Sequence, residues 1–228
     1  MVAKVQLDFS TLLASAVHDM KNSIGLLMHQ INQLPIQTGD QPLDTGQLQF
    51  EATRLNNYLI QLLTLYKCEQ DQYPIQLDEY YLDEFVEDLV LMNQPILQPW
   101  GISIEQQVTA DLCWSFDRNL LAGVLCNIFT NVIRYAKSRV RIECIQDQGM
   151  LRIRIEDDGP GYPEKMLGEL SEQPMGVDFV SGSTGLGLYF SVQVAALHQW
   201  QGQRGRVLLS NGSSLGGGCF ELLLPGPL

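Results

Sequence analysis

A histidine and an acid stand side by side at His18-Asp19, and an amide, Asn22, lies one helical turn further on. An imidazole nitrogen is a competent nucleophile near neutral pH when the other ring nitrogen holds the proton and a carboxylate orients it. Far along the chain, Asn127 and Asn131 are one turn apart, with Arg134 on nearly the same helix face. Amide oxygens at that spacing can ligate Mg²⁺, which prefers oxygen donors and keeps several waters. A guanidinium beside them can meet phosphate oxygens. Asp157-Asp158-Gly159-Pro160-Gly161 follows an alternating strand, and its glycines let the backbone turn close to a ligand. Gly182-Ser183-Thr184-Gly185-Leu186-Gly187 opens a helix, where free N–H groups form an anion site. Each segment also has a plain reading as a solvated helix face or an ordinary polar turn. Their order along one chain sets them apart.

The elements that must carry these residues follow from hydrophobic periodicity. Phe9, Leu13, Ala16, Met20, Ile24, Leu27 and Ile31 recur at helical spacing, so residues 9–33 read as an amphipathic helix with Asp8 or Ser10 as its cap. His18 falls off that stripe. A Pro- and Gly-containing stretch, 35–46, reads as a loop. A second helix follows over 48–66, with Leu48, Ala52, Leu55, Leu59, Leu62 and Tyr66 on one face. A lone helical hairpin cannot bury two such stripes, whereas two copies forming a four-helix bundle can, so a homodimer is expected. After residue 71 the pattern changes. Strands are predicted over 74–81, 102–108, 112–116, 140–145, 151–155, 207–210 and 219–224, and helices over 82–98, 118–137 and 186–199. Asp117 is placed to cap the middle helix. Residues 162–184 show no period. The chain is therefore expected to be α+β: a helical hairpin over 1–70, then an α/β sandwich with a largely antiparallel sheet over 71–228.

In this order the motifs resemble the nucleotide-binding domain shared by sensor histidine kinases, Hsp90-type chaperones, type II topoisomerases and mismatch-repair ATPases. The His18-Asp19-Met20-Lys21-Asn22 segment resembles the phosphoacceptor box of a sensor histidine kinase and chooses among them. The resemblance implies a GHKL-type ATP-binding domain that uses ATP and Mg²⁺. It implies His18 as nucleophile, Asp19 as the assisting acid, and Asn22 as the amide that orients water for the reverse, phosphatase reaction. It implies Asn131 as the metal ligand, beside Asn127 and Arg134. It implies Asp157 as the acceptor of adenine's exocyclic amine, and Gly159, Gly161, Gly185 and Gly187 as the backbone of the nucleotide cleft. Phosphate would pass to an aspartate of a response-regulator receiver domain. The sequence departs from the pattern in three places. Ser23 stands where a proline is common, no Phe-containing box is recognisable, and residues 162–181 carry Glu164, Glu169, Glu172 and Asp178 against Lys165 alone. An acidic lid would oppose a triphosphate. That leaves two alternatives beside the kinase: a histidine phosphotransferase that no longer uses ATP, and a nucleotide-gated binding module without chemistry.

Bulk properties narrow the field. A net charge of −12 argues against nucleic-acid duplexes and anionic membranes as partners. The five cysteines are scattered, with no CxxC pair, which favours neither zinc nor a disulfide framework and suits a reducing, cytoplasmic setting. No apolar run is long enough to span a membrane, and the N-terminus has no signal-peptide pattern. Only 17 residues precede His18, so any signal is expected to arrive through a partner, such as a separate sensor protein, or through a segment outside this sequence. His29 and His198 have no partner pattern and read as structural, as do Trp100, Trp114 and Trp200.

Overall fold

A computed structural model describes Met20 and residues 23–27, 46–70, 72–171 and 185–226. They fall into two compact units, one drawn from Met1–Gln72 and Gln173–Tyr189, the other from Tyr73–Glu172 and Phe190–Leu228.

In the first unit, residues 23–27 are helical, and α1 spans Gly46–Glu69. The apolar positions of α1 divide into two sides. Phe50, Leu62 and Leu65 are buried, together with Glu51 and Arg54, which pair at 3.3 Å. Leu59, Leu63 and Tyr66 face outward at 55%, 55% and 45% exposure. The single stripe expected over 48–66 is thus split. Leu62 belongs to the inner side, while Leu59 and Tyr66 line an open one at i, i+4 and i+7 spacing with Leu63.

The second unit is built on a six-stranded sheet in the order β2-β4-β5-β10-β9-β6. Its strands are β2 (Ser103–Val108), β4 (Arg139–Asp147), β5 (Met150–Asp157), β6 (Gly168–Glu169), β9 (Arg206–Asn211) and β10 (Gly218–Pro225). All neighbours are antiparallel except β2 and β4. The remaining strands pair locally, β1 (Asp78–Tyr81) with β3 (Cys113–Phe116), and β7 (Gln199–Trp200) with β8 (Gln203–Arg204). The helices are α2 (Leu82–Leu97), α3 (Arg118–Tyr135) and α4 (Leu186–Leu197), the last shared between the two units.

Period-two alternation places one side chain of each pair on the core face. Ile142, Ile155, Phe220 and Leu209 form one row across the sheet, and Cys144, Ile153, Leu222 and Val207 the next; all are buried. Phe85 and Leu89 of α2, Leu121, Leu125 and Phe129 of α3, and Phe190 and Val194 of α4 complete this core. On the opposite face the same registers align charges. Arg154 reaches Glu143, Glu156 and Glu221 at 3.3, 2.7 and 3.5 Å. The β4–β5 turn needs two left-handed residues, and Gln148 and Gly149 supply them at φ 51° and 75°.

Candidate functional site

Helix α3 is set from its start. Asp117 lies in extended conformation, and its Oδ1 accepts the N–H groups of Asn119 and Leu120 at 3.1 and 3.0 Å, as an N-cap requires. Its Oδ2 accepts Gln76 N–H at 3.1 Å. The N–H of Asp117 donates to His198 Nε2 at 3.1 Å, and His198 Nδ1–H donates to the Val194 carbonyl at 2.8 Å. Burial pushes the His198 imidazole below its ordinary pKa, so the ring is a neutral strut between α4 and the cap of α3. The structural reading of His198 is the one the geometry supports.

From that cap, α3 carries its buried stripe inward, and Asn127, Asn131 and Arg134 run along one flank. Asn127 is buried at 6% exposure, Asn131 is half-buried and Arg134 is exposed in the last turn. The row therefore rises from core to surface toward the helix C-terminus.

The Asp157–Gly161 loop meets that C-terminus. A Cβ on Gly159 would sit 2.3 Å from the Tyr135 carbonyl oxygen, so only glycine lets the loop lie against the end of α3. Asp158 ties the junction. Its carboxylate accepts the N–H groups of Lys137 and Ser138 at 2.8 and 3.0 Å and the Ser138 hydroxyl at 2.9 Å. Burial opposes ionisation of this carboxyl, but the donors around residues 137–139 outweigh it and hold the group well below the usual carboxylate range. Sequence reasoning left Asp158 without a role. No sequence signal pairs it with residues twenty positions away.

Asp157 ends β5 with its carboxylate fixed through one oxygen. Oδ1 accepts Gly159 N–H at 2.7 Å and Gly218 N–H at 3.4 Å, while Oδ2 accepts no hydrogen bond from the described residues. Gly161 takes φ +81°, a conformation that favours glycine. The loop that carries Asp157, Gly159 and Gly161 thus meets the C-terminal end of the helix that carries Asn127, Asn131 and Arg134. Gly185 and Gly187 belong to the other compact unit. There Gly185 stands at φ +68° before α4 and accepts Tyr189 N–H at 2.9 Å. His18, Asp19 and Asn22 lie outside the described residues.

Within 162–184, where the sequence shows no period, Gly168–Glu169 forms β6 and pairs with Leu208–Leu209 of β9. Glu169 lies 3.7 Å from Arg206 at that sheet edge, so its charge belongs to the sheet and not to a lid. Glu172 and Asp178 lie outside the described residues.

Comparison with known proteins fits this geometry. Residues 116–227 match the family described as histidine kinase-, DNA gyrase B- and HSP90-like ATPases. These residues belong to that ATPase family. Two curated relatives of the chain are the virulence sensor histidine kinase PhoQ of Salmonella typhimurium, 24% identical over 60% of this chain, and the sensor protein BasS of Escherichia coli, 26% identical over 82%. The chain spans only 27% and 52% of their respective lengths. The solved histidine kinase ThkA, in complex with response regulator protein TrrA, superposes with a TM-score of 0.62 at 17% identity, over 94% of this chain and 61% of that one. This last likeness shows the fold alone, a mixed α+β one, and the family match over residues 116–227 makes it that of the GHKL-type ATPases. Among the described residues no cluster of His, Cys, Asp or Glu can hold a metal, so a resident cation would rely on an amide such as Asn131 together with nucleotide phosphates and water.

Proposed function

We propose that this chain is the catalytic core of a two-component histidine kinase, with residues 1–70 as dimerisation and phosphoacceptor region and 71–228 as the Mg·ATP-binding domain. One observation carries the nucleotide assignment. Asp157 is anchored by Oδ1 against the Asp-x-Gly-x-Gly backbone, while Oδ2 accepts no bond from the described residues and can take a ligand's donor. An adenine exocyclic amine is the donor this acceptor suits. Arg134, exposed at the end of α3, meets phosphate oxygens, and Asn131, one turn before it on the same flank, supplies an amide oxygen for the cation with Asn127 behind it. Bound Mg²⁺ supplies charge neutralisation on the phosphates. A nitrogen of His18 attacks the γ-phosphorus, the bond from phosphorus to the β-bridging oxygen breaks, and ADP leaves. Asp19 orients the imidazole and stabilises the charge it acquires. The phosphoryl group then passes to an aspartate of a response-regulator receiver domain, and Asn22 serves the reverse hydrolysis. Most of the rate comes from positioning and electrostatics, as is general for phosphoryl transfer.

Two copies of α1, closing their open Leu59–Leu63–Tyr66 sides, supply the homodimer. The setting we propose for this region is cytoplasmic; among the described residues no helix is long and apolar enough to cross a membrane. The phosphotransferase alternative rested on the acidic lid, and Glu169 no longer contributes to one.

The test is incubation with γ-labelled ATP and Mg²⁺. Wild type should acquire acid-labile label, His18→Gln none, and Asp157→Asn little, because the base contact is worth about 10- to 150-fold in affinity. Label on His18→Gln would mean another acceptor. No label on wild type, with His18 accepting phosphate from a phosphorylated partner, would mean the phosphotransferase.

A further inference from the structure

Asn211 is the last residue of β9, and its backbone pairs with Gly218 of β10. Its side chain crosses to the loop after the second motif glycine. Oδ1 accepts Tyr162 N–H at 2.7 Å, and Nδ2 donates to the Tyr162 carbonyl at 2.8 Å. One amide thus satisfies both backbone groups of one residue, as a neighbouring strand would. The fit is close: a Cβ on Gly161 would lie 2.5 Å from Asn211 Oδ1. Tyr162 in turn sits beside Asp157. A Cβ on Gly218 would be 2.9 Å from Tyr162 Cε2 and 3.1 Å from Asp157 Oδ2, so phenol ring, bare glycine and open carboxylate oxygen are neighbours. Burial, and then the Asp157 charge, push the Tyr162 phenol above its ordinary pKa. Asn211 itself is over fifty residues from Asp157 in sequence and belongs to none of the motifs.

We infer that Asn211 is a positioning residue of the nucleotide cleft, holding the Gly161–Tyr162 backbone so that the Tyr162 ring and Asp157 Oδ2 keep the arrangement that reads the base. This rests on the nucleotide reading above and adds to it a specificity-determining residue outside the motifs. Asn211→Ala removes both bonds. Asn211→Asp keeps an acceptor for Tyr162 N–H but sets a carboxylate oxygen against the Tyr162 carbonyl.

The experiment uses the full chain. Calorimetry gives Kd for ADP and for GDP in the presence of Mg²⁺, and amide hydrogen exchange is followed at Tyr162 without nucleotide. In both variants Tyr162 should exchange faster, ADP should bind about tenfold more weakly, and GDP should change little, so that base selectivity falls. A domain that is merely loosened would lose both nucleotides equally. Faster exchange with unchanged ADP affinity, an equal loss for both nucleotides, or failure of both variants to fold would each overturn the positioning role. If wild type binds neither nucleotide, the nucleotide reading itself fails and this inference falls with it; if wild type binds ADP and the variants match it, the inference alone falls.

Discussion

Asp158 offers a test of how the site is held together. Removing its carboxylate in Asp158→Ala deletes two bonds from backbone N–H groups, at 2.8 and 3.0 Å, and one from a hydroxyl at 2.9 Å. Arg139 at 3.9 Å adds little, because its side chain is 62% exposed. Hydrogen bonds to charged groups contribute about 1.5–3 kcal/mol each when buried. Here Lys137 and Ser138 are exposed, and water takes over their N–H groups in the variant. Exposure puts each backbone bond below that range, at about 1 kcal/mol, for a total of about 2–3 kcal/mol with the hydroxyl. For a domain of this size each kcal/mol moves Tm by about 2–4 °C, so the variant should melt about 4–12 °C lower. The pH dependence has a definite sign. The folded-state pKa of Asp158 is depressed below the ordinary 3.8. Its contribution is therefore whole above the unfolded value and is lost as pH falls through the folded one. The Tm gap between wild type and variant should be equal at pH 7 and pH 5 and narrow only below about pH 4. Calorimetric melts of both proteins across that range decide. A gap under 2 °C at pH 7, or one that closes between pH 7 and pH 5, would refute the argument.

Three further outcomes are expected. Leu59→Glu places its charge on the open side of α1, so sedimentation should show dimer converted to monomer while helical circular dichroism persists; Leu62→Glu, on the buried side, should unfold the hairpin. His198 has a folded pKa below its ordinary 6.5, so its contribution to stability is present above pH 6.5 and lost as pH falls through the folded value. Tm should thus fall more steeply between pH 7 and pH 5 in wild type than in His198→Asn, which does not titrate. Glu169→Gln should leave ATP affinity unchanged in calorimetry, since Glu169 neighbours Arg206 at a sheet edge; tighter binding in the variant would restore the acidic lid.

Local patterns made most of the second unit readable. The N-cap at Asp117 and the alternation of β4 and β5 rest on interactions within a few residues, and each lies where the spacing put it. Two-residue strands such as β6, β7 and β8 leave no period to detect, because two positions cannot alternate. The helix predicted over 186–199 stops at Leu197 for the same reason: Gln199 and Trp200 pair with β8 instead. The stripe on α1 shows a second limit. Periodicity marks apolar positions but does not say which side a single copy buries, and Leu59 and Leu62 differ only through what packs on them.

By itself the sequence determined the candidate chemistry: the nucleophile-and-acid pair at His18-Asp19, the amides on one flank of α3, and the acid–glycine loop after β5. These are properties of residue type and short-range spacing, which any chain with this pattern shares. Only the tertiary structure decided what holds the amide-bearing helix and the acid–glycine loop in register. Asp158 clamps the exit of α3, Asn211 pairs with Tyr162, Gly218 leaves room for ring and carboxylate, and His198 supports the cap of α3. The hydrogen bonds among them join positions 20 to 81 apart. Such contacts depend on strand register and helix placement that no local propensity encodes, so they exist only once the sheet and its helices have closed on one another.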